Sequence, residues 1–190
     1  LKNFRPIKNK KNKIRVGFLS RILIDKGIIE YLDAIKLVKK KINIEAVVAG
    51  KIDTKNPSSI KTDIFYQKIK EYKIKYLGYK KNILKILNSC DLVILPSYHE
   101  GTPKILLEAA ACGKSIVCTS VAGCKNIVKN QYNGLLVPPR NTNKLSQAII
   151  KICKSKSLRK KFMDNNLKLA KKSFSLDKVI NIHFKIYETY

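Results

Sequence analysis

Histidine, acid and paired cysteine are all scarce in this chain. Its 190 residues include two histidines (His99 and His183), thirteen acidic residues against forty basic ones, and five cysteines at positions 90, 112, 118, 124 and 153. No Cys-x-x-Cys pair and no local cluster of acids stands beside them, which disfavours a zinc site or any other protein-held metal centre. An odd set of cysteines also argues against a disulfide framework and for reduced, mostly buried thiols in a cytoplasmic setting. No stretch reaches the ~18 consecutive apolar residues of a membrane span, and no secretory leader is visible. The first apolar run continues as Gly17-Phe18-Leu19-Ser20-Arg21. Without a Gly-x-Gly-x-x-Gly there, a nicotinamide dehydrogenase is disfavoured.

The basic excess gives a net charge of +27, which ordinarily suggests nucleic acid or an anionic membrane as partner. Thirty-five of the forty cations are lysines and only five are arginines, whereas specific phosphate and base recognition favours arginine's bidentate fork. Isoleucine and asparagine are abundant too, so a compositional bias accounts for much of the lysine, and no specific nucleic-acid partner is expected. Peripheral attraction to an anionic membrane face is the next reading.

At this length one domain with a real core is expected, burying roughly 70 % of the unfolded chain's surface. Lys8 to Lys13 is a solvated basic run, read as a linker or the start of the domain. Strands and helices then alternate. Strands are expected at Ile14–Leu19, Ile42–Ala49, Ile74–Leu77, Leu92–Leu95, Ser115–Thr119 and Gly134–Val137. Helices are expected at Gly27–Lys40, after residue 61, at Asn82–Asn88, from Pro103 through Ala111, at Thr142–Lys154, Ser157–Lys172 and Leu176–Tyr190. Residues 51–61, with Asn56-Pro57-Ser58-Ser59, read as a mobile loop. Regular alternation implies an α/β fold, a Rossmann-like parallel sheet with helices on both faces, whose ligands bind at the carboxyl ends of the strands. Arg21, Lys26, Gly78, Tyr79, Glu100 and Gly101 all fall just after expected strands, and so converge on one edge of the sheet.

The most informative stretch is Ser97-Tyr98-His99-Glu100-Gly101-Thr102-Pro103-Lys104-Ile105-Leu106-Leu107-Glu108. It follows a short buried-type strand broken at Pro96. Thr102 is expected as N-cap and Pro103 as the first helical residue, with the helix stopping at Gly113. Free N–H groups at Gly101, Thr102 and Lys104 and the positive end of the helix dipole suit a diphosphate. Glu108 lies about two turns along the helix, ~9 Å at 1.5 Å per residue, so Glu100 and Glu108 can address different ends of one extended ligand. Carboxylates suit vicinal diols. Glu108 stands among Leu106, Leu107 and Ala109–Ala111, where an unpaired carboxylate is costly; its bland alternative is an ordinary helix acid, and that of Glu100 an acid near a helix start.

The pattern Glu100-x7-Glu108 within Pro96-Ser97-Tyr98-His99-Glu100-Gly101 resembles the signature of the family-4 retaining glycosyltransferases, which have GT-B architecture. Arg21 and Lys26 are spaced like that family's diphosphate-binding pair. Tyr76-Leu77-Gly78-Tyr79, Val121-Ala122-Gly123-Cys124 and Asn133-Gly134-Leu135-Leu136-Val137-Pro138 match its usual segments in order. The family has two Rossmann-like lobes, and the resemblance covers the second, from about Ile14 onward. It implies a donor-binding lobe at 14–175, a helix at 176–190 packing back toward an N-terminal acceptor lobe, and that acceptor lobe upstream of this sequence.

The resemblance also implies roles. Glu100 is the catalytic residue that contacts the donor sugar; Arg21, Lys26, Gly101 and Thr102 bind the donor diphosphate, Glu108 the ribose, and Gly78 and Tyr79 the base, the bland alternatives being surface cations at Arg21 and Lys26 and a core or rim aromatic at Tyr79. Ser20 stands where the family commonly has glycine. His99 is a pocket-rim residue and Cys124 an improbable nucleophile, having no nearby histidine. Gly123-Cys124 resembles a variant of capsule, O-antigen and lipid-linked oligosaccharide members. The implied activity is retaining, metal-independent transfer of a hexose or N-acetylhexosamine from a nucleoside diphosphate sugar, UDP-linked by preference, to a polysaccharide or lipid-linked acceptor. No cofactor is implied, and the isolated lobe is expected to catalyse little. The rival reading is a basic Rossmann-like module that binds nucleic acid or anionic membrane without sugar chemistry.

Overall fold

The computed structural model describes residues 13–173, in which six strands and seven helices alternate. The strands are β1 (Ile14–Leu19), β2 (Ile44–Ala49), β3 (Lys75–Tyr76), β4 (Leu92–Leu95), β5 (Ser115–Thr119) and β6 (Leu135–Val137). The helices are α1 (Ile28–Lys39), α2 (Thr62–Glu71), α3 (Leu84–Ser89), α4 (Lys104–Ala111), α5 (Ala122–Lys125), α6 (Thr142–Lys154) and α7 (Lys156–Ser173). All strand pairs are parallel, in the order β3-β2-β1-β4-β5-β6. This is the Rossmann-like α/β fold that the alternation implies. The terminal helix expected at Leu176–Tyr190 and nearly all of the basic start at 1–13 lie outside the described residues.

Two apolar layers explain why nearly every strand residue is hydrophobic, since both faces of the sheet are covered. On one face Val16, Phe18, Val48, Leu92 and Ile94 pack with Ile28, Leu32, Ile35 and Val38 of α1, Phe65 of α2 and Ile149 and Ile152 of α6. On the other, Leu19, Val47, Val93, Leu95, Ile116 and Cys118 pack with Ile86 and Leu87 of α3, Leu106, Ala109 and Ala110 of α4, and Cys124. Residues alternate between layers along each strand, as the two-residue period of a pleated strand demands.

The order of the strands also locates a crevice. From β1 the chain steps outward to β2 and β3, then returns to lie beside β1 as β4. The connections leaving β1 and β4 therefore run to opposite faces, α1 to one layer and α4 to the other. Between their carboxyl ends lies the topological switch point at which open α/β sheets bind ligands.

Several local expectations are corrected. Gly27 is not helical: it sits at φ 75, capping a 3-10 turn at Ile24–Lys26, and α1 starts one residue later. Residues 51–61 form an anchored strap rather than a mobile loop. Ile22 N–H donates to Lys51 O at 2.9 Å, Asp25 N–H to Ser58 Oγ at 2.8 Å, and Ile60 is 4 % exposed. Thr102 is not the N-cap. Pro103 takes that place with an extended ψ of 106, and its carbonyl accepts from Leu106 N–H at 3.0 Å; Thr102 is left one residue outside, exposed and beyond capping reach. The stop near Gly113 holds, with that residue at φ 64.

Candidate functional site

The site is built where the β1–α1 and β4–α4 connections face each other. Gly27 makes their close approach possible: a Cβ there would lie 2.1 Å from Pro96 O. With no side chain between them, Tyr98 N–H donates to Asp25 O at 2.8 Å and Ser97 Oγ donates to the same carbonyl at 3.0 Å. Thr119 Oγ1 donates to Ser97 O from the end of β5.

Across this seam Lys26 Nζ lies 2.9 Å from Glu100 Oε1, with the two side chains 17 % and 11 % exposed. Two of the residues singled out from sequence are thus in direct contact. A third element closes on them, since Gly123 N–H donates to Glu100 O at 3.1 Å. A Cβ at Gly123 would meet Gly101 O at 2.1 Å and Glu100 O at 2.3 Å, so glycine lets α5 abut the loop. Gly101 itself faces open space, its hypothetical Cβ touching nothing within 4 Å. Arg21, His99, Gly101 and Thr102 are exposed on this rim.

Glu108 lies on α4, buried to 6 % exposure, with Lys104 Nζ at 3.7 Å one turn before it. Burial raises its carboxyl pKa above the ordinary carboxylate value, and the Lys104 ammonium partly opposes that. A carboxyl group perturbed by burial in this way is a candidate for a functional role.

Gly78 and Tyr79 stand farther off. They follow β3, three strands or ~14 Å from the end of β4. The structure ties them to the neighbouring strand end instead, with Gly50 N–H donating to Gly78 O at 3.0 Å, and leaves Tyr79 69 % exposed. Cys124 is fully buried. A hydrogen bond from the Cys118 thiol lowers its pKa, while burial raises that of Cys118.

Sequence reasoning missed Gly27, Glu30 and Arg140. Glu30 is buried in α1 and accepts from Tyr98 Oη–H at 2.6 Å; the Arg140 guanidinium lies 4.6 Å from the centre of the Tyr98 ring. For Glu30 a signal existed, an acid set between Ile28, Tyr31 and Leu32 on an apolar helix. For Arg140 there was none, because its partner is 42 positions away in sequence.

A doubly layered parallel sheet with paired cationic and anionic side chains at its switch point, and a buried glutamate on α4, defines an open α/β domain with a candidate ligand site at the carboxyl ends of its strands. Sequence comparison makes this specific. The family described as Glycosyl transferases group 1 matches residues 2–169, and the chain belongs to that family. The N,N'-diacetylbacillosaminyl-diphospho-undecaprenol alpha-1,3-N-acetylgalactosaminyltransferase of Campylobacter jejuni is 34% identical over 144 residues, covering 76% of this chain and 36% of that protein. The capsular polysaccharide biosynthesis glycosyltransferase CapM of Staphylococcus aureus is 26% identical over 161 residues, covering 84% and 42%. The chain thus spans less than half the length of either relative.

Solved structures agree on the fold. Anabaena HepE, crystallised in complex with UDP, is 25% identical with a TM-score of 0.81, over 94% of this chain and 48% of that one. The C-terminal domain of a glycosyl transferase group 1 family protein (LpcC) from Francisella tularensis has a TM-score of 0.82 at 23% identity, covering 92% and 97%. The fold is therefore that of the C-terminal half of a GT-B glycosyltransferase. Among the described residues no helix is long and apolar enough to cross a membrane.

Proposed function

We propose that this chain is the donor-binding half of a family-4 retaining glycosyltransferase that takes a hexose or N-acetylhexosamine from a UDP-sugar. The single observation carrying this reading is the Lys26–Glu100 pair at the β1/β4 switch point, 2.9 Å apart. It puts a cation for phosphate beside a carboxylate for sugar hydroxyls. Arg21 and Lys26 neutralise the diphosphate, assisted by the N–H groups of Gly101, Thr102 and Lys104 before and at the start of α4. Glu108 accepts from the ribose diol, and Gly78 and Tyr79 flank the base.

Transfer needs the departing diphosphate to be stabilised as the sugar–oxygen bond breaks. Arg21 and Lys26 supply the counter-charge as that charge develops, and the reaction runs without a divalent metal. Glu100 addresses the donor sugar and supports the positive charge that grows on its ring. The C. jejuni relative's lipid-diphosphate acceptor and the S. aureus relative's capsular pathway support a lipid-linked or polysaccharide acceptor, bound by a lobe outside this sequence. The net charge of +27 supports peripheral attraction to the inner, anionic membrane face in a cytoplasmic enzyme.

Calorimetric titration with UDP, GDP and UDP-N-acetylglucosamine tests this, in moderate salt with EDTA, beside an Arg21→Ala/Glu108→Ala control. Saturable binding of a uridine nucleotide, lost in the control, is the expected result. Equal, salt-sensitive binding of every polyanion would replace the donor-site reading with that of a basic binding module.

A further inference from the structure

Tyr98 is gripped from two directions by residues that break local rules. At one end its hydroxyl donates at 2.6 Å to Glu30 Oε1, on a glutamate that is 8 % exposed and whose Oε2 has no hydrogen-bond partner among the described residues. The rest of the buried face of α1 is apolar, and a hydrophobic residue at position 30 would satisfy the fold as well or better. At the other end Arg140 lies over the ring at 4.6 Å, on a backbone with φ 56. Glycine is the relaxed choice for that conformation, and a side chain there carries strain.

These two unfavourable choices meet only at Tyr98, two residues before Glu100. Its N–H is bound to Asp25 O beside Lys26, so fixing the ring fixes the register of the loop against the β1–α1 connection. Burial, then the hydrogen bond to Glu30 and that residue's charge, push the Tyr98 phenol up to about 12, in keeping with a hydroxyl that donates to a buried carboxylate. Lys73 and Gln131 share the positive φ of Arg140, so the mark of a constraint is the orphaned carboxylate oxygen together with the meeting of Glu30 and Arg140 at one ring.

We infer that Glu30, Tyr98 and Arg140 form a positioning set that holds residues 97–101, and with them the Glu100 carboxylate, in the orientation that addresses the sugar end of the donor. This rests on the donor-binding reading above. Arg140 is a positioning residue here; it acts through the Tyr98 ring.

The experiment compares Arg140→Gly, Tyr98→Phe and a control, Gln131→Gly, which relieves another positive φ of 60 away from this loop. Amide hydrogen exchange is measured on the ligand-free chain, then melting temperature, then affinity for UDP and for UDP-N-acetylglucosamine. Arg140→Gly is expected to leave the melting temperature unchanged or higher, as the control does, yet to speed exchange at 97–101. UDP-N-acetylglucosamine should bind about tenfold more weakly to it and UDP within about twofold of wild type. Unchanged exchange at 97–101 in Arg140→Gly overturns the inference whether or not Tyr98→Phe folds, and equal losses for the two ligands overturn the assignment to the sugar end. Loosened exchange in a protein whose wild type binds neither nucleotide sinks the donor reading and the sugar-end role, while the loop-holding role stands.

Discussion

Lys26 and Glu100 are joined at 2.9 Å across 74 positions of sequence. Their contact spans the crevice where the β1–α1 and β4–α4 connections diverge, so on the proposed donor-binding reading the cation assigned to phosphate is held by the carboxylate assigned to sugar. On that reading both charges act on one ligand. Glu100→Gln is expected to hold or tighten UDP binding, because a neutral amide neither sequesters the ammonium nor repels the diphosphate. Lys26→Ala should weaken UDP binding tenfold or more, on the order of one charge-assisted hydrogen bond of ~1.5–3 kcal/mol. Calorimetric titration of both variants checks this, and loss of UDP binding in Glu100→Gln would move that residue from the sugar end to the nucleotide end.

Glu108 links stability to pH. Burial raises its carboxyl pKa in the folded chain, so the folded state holds the proton more tightly than the unfolded one. The resulting contribution to stability is fully present below the ordinary carboxylate pKa and is lost as pH rises through the raised folded value. At neutral pH the charged form is a net cost. Glu108→Gln should therefore melt at a higher temperature than wild type at pH 7, with the difference shrinking to nothing near pH ~3–4. The same variant should bind UDP about tenfold or more weakly, because the ribose diol loses its ionised acceptor. Thermal melts across that range decide it. A stabilising effect of equal size at both ends of the range would show that the gain does not come from the charge.

What sequence revealed and what it concealed divides along contact distance. The strand at Leu92–Leu95 and the stop near Gly113 were legible, since a four-residue apolar run and a helix-ending glycine are local signals. So was the placing of Lys26 and Glu100 at one sheet edge, because the alternation fixes which loops share that edge. Gly27 was misread as helical. Its left-handed backbone answers to Pro96 O, 2.1 Å from where a Cβ would stand, and that neighbour is 69 positions away. The strap at 51–61 looked mobile because its composition is polar, whereas its order comes from Ser58 meeting the backbone of Asp25. Thr102 had the right chemistry for an N-cap one position too early.

Asn166 fastens α7 to the turns that lead into β5 and β6. Fully buried, it donates to Lys114 O and Asn133 O, both at 2.8 Å, and accepts from Asn133 Nδ2 at 2.8 Å. Asn166→Ala removes the shared partner of all three bonds and leaves the Asn133 amide short of an acceptor. A loss of about 2–4 kcal/mol is expected, or a fall of about 5–15 °C in melting temperature for a domain of this size. Differential scanning calorimetry measures it. A change below about 0.5 kcal/mol would mean that water replaces the side chain and that α7 is held by its apolar contacts alone.

Gly123 abuts the loop that contains Gly101, and the two should respond differently to one added methyl group. At Gly123 the Cβ would lie 2.1 Å from Gly101 O and 2.3 Å from Glu100 O. Both are backbone atoms that no side-chain rotation can move, so α5 or the loop must shift. Gly123→Ala should cost about 1–3 kcal/mol and weaken UDP-sugar binding by more than about tenfold as the Glu100 carbonyl loses its N–H donor. At Gly101 the Cβ meets nothing within 4 Å, so Gly101→Ala should leave stability within about 0.5 kcal/mol of wild type. Any loss of UDP binding in that variant then reports on how closely phosphate approaches the backbone, free of folding effects. Melting curves and titrations of the two variants, run side by side, separate the glycine that the loop needs from the glycine that the ligand needs. Wild-type stability and affinity in Gly123→Ala would show that α5 does not constrain the loop carrying Glu100.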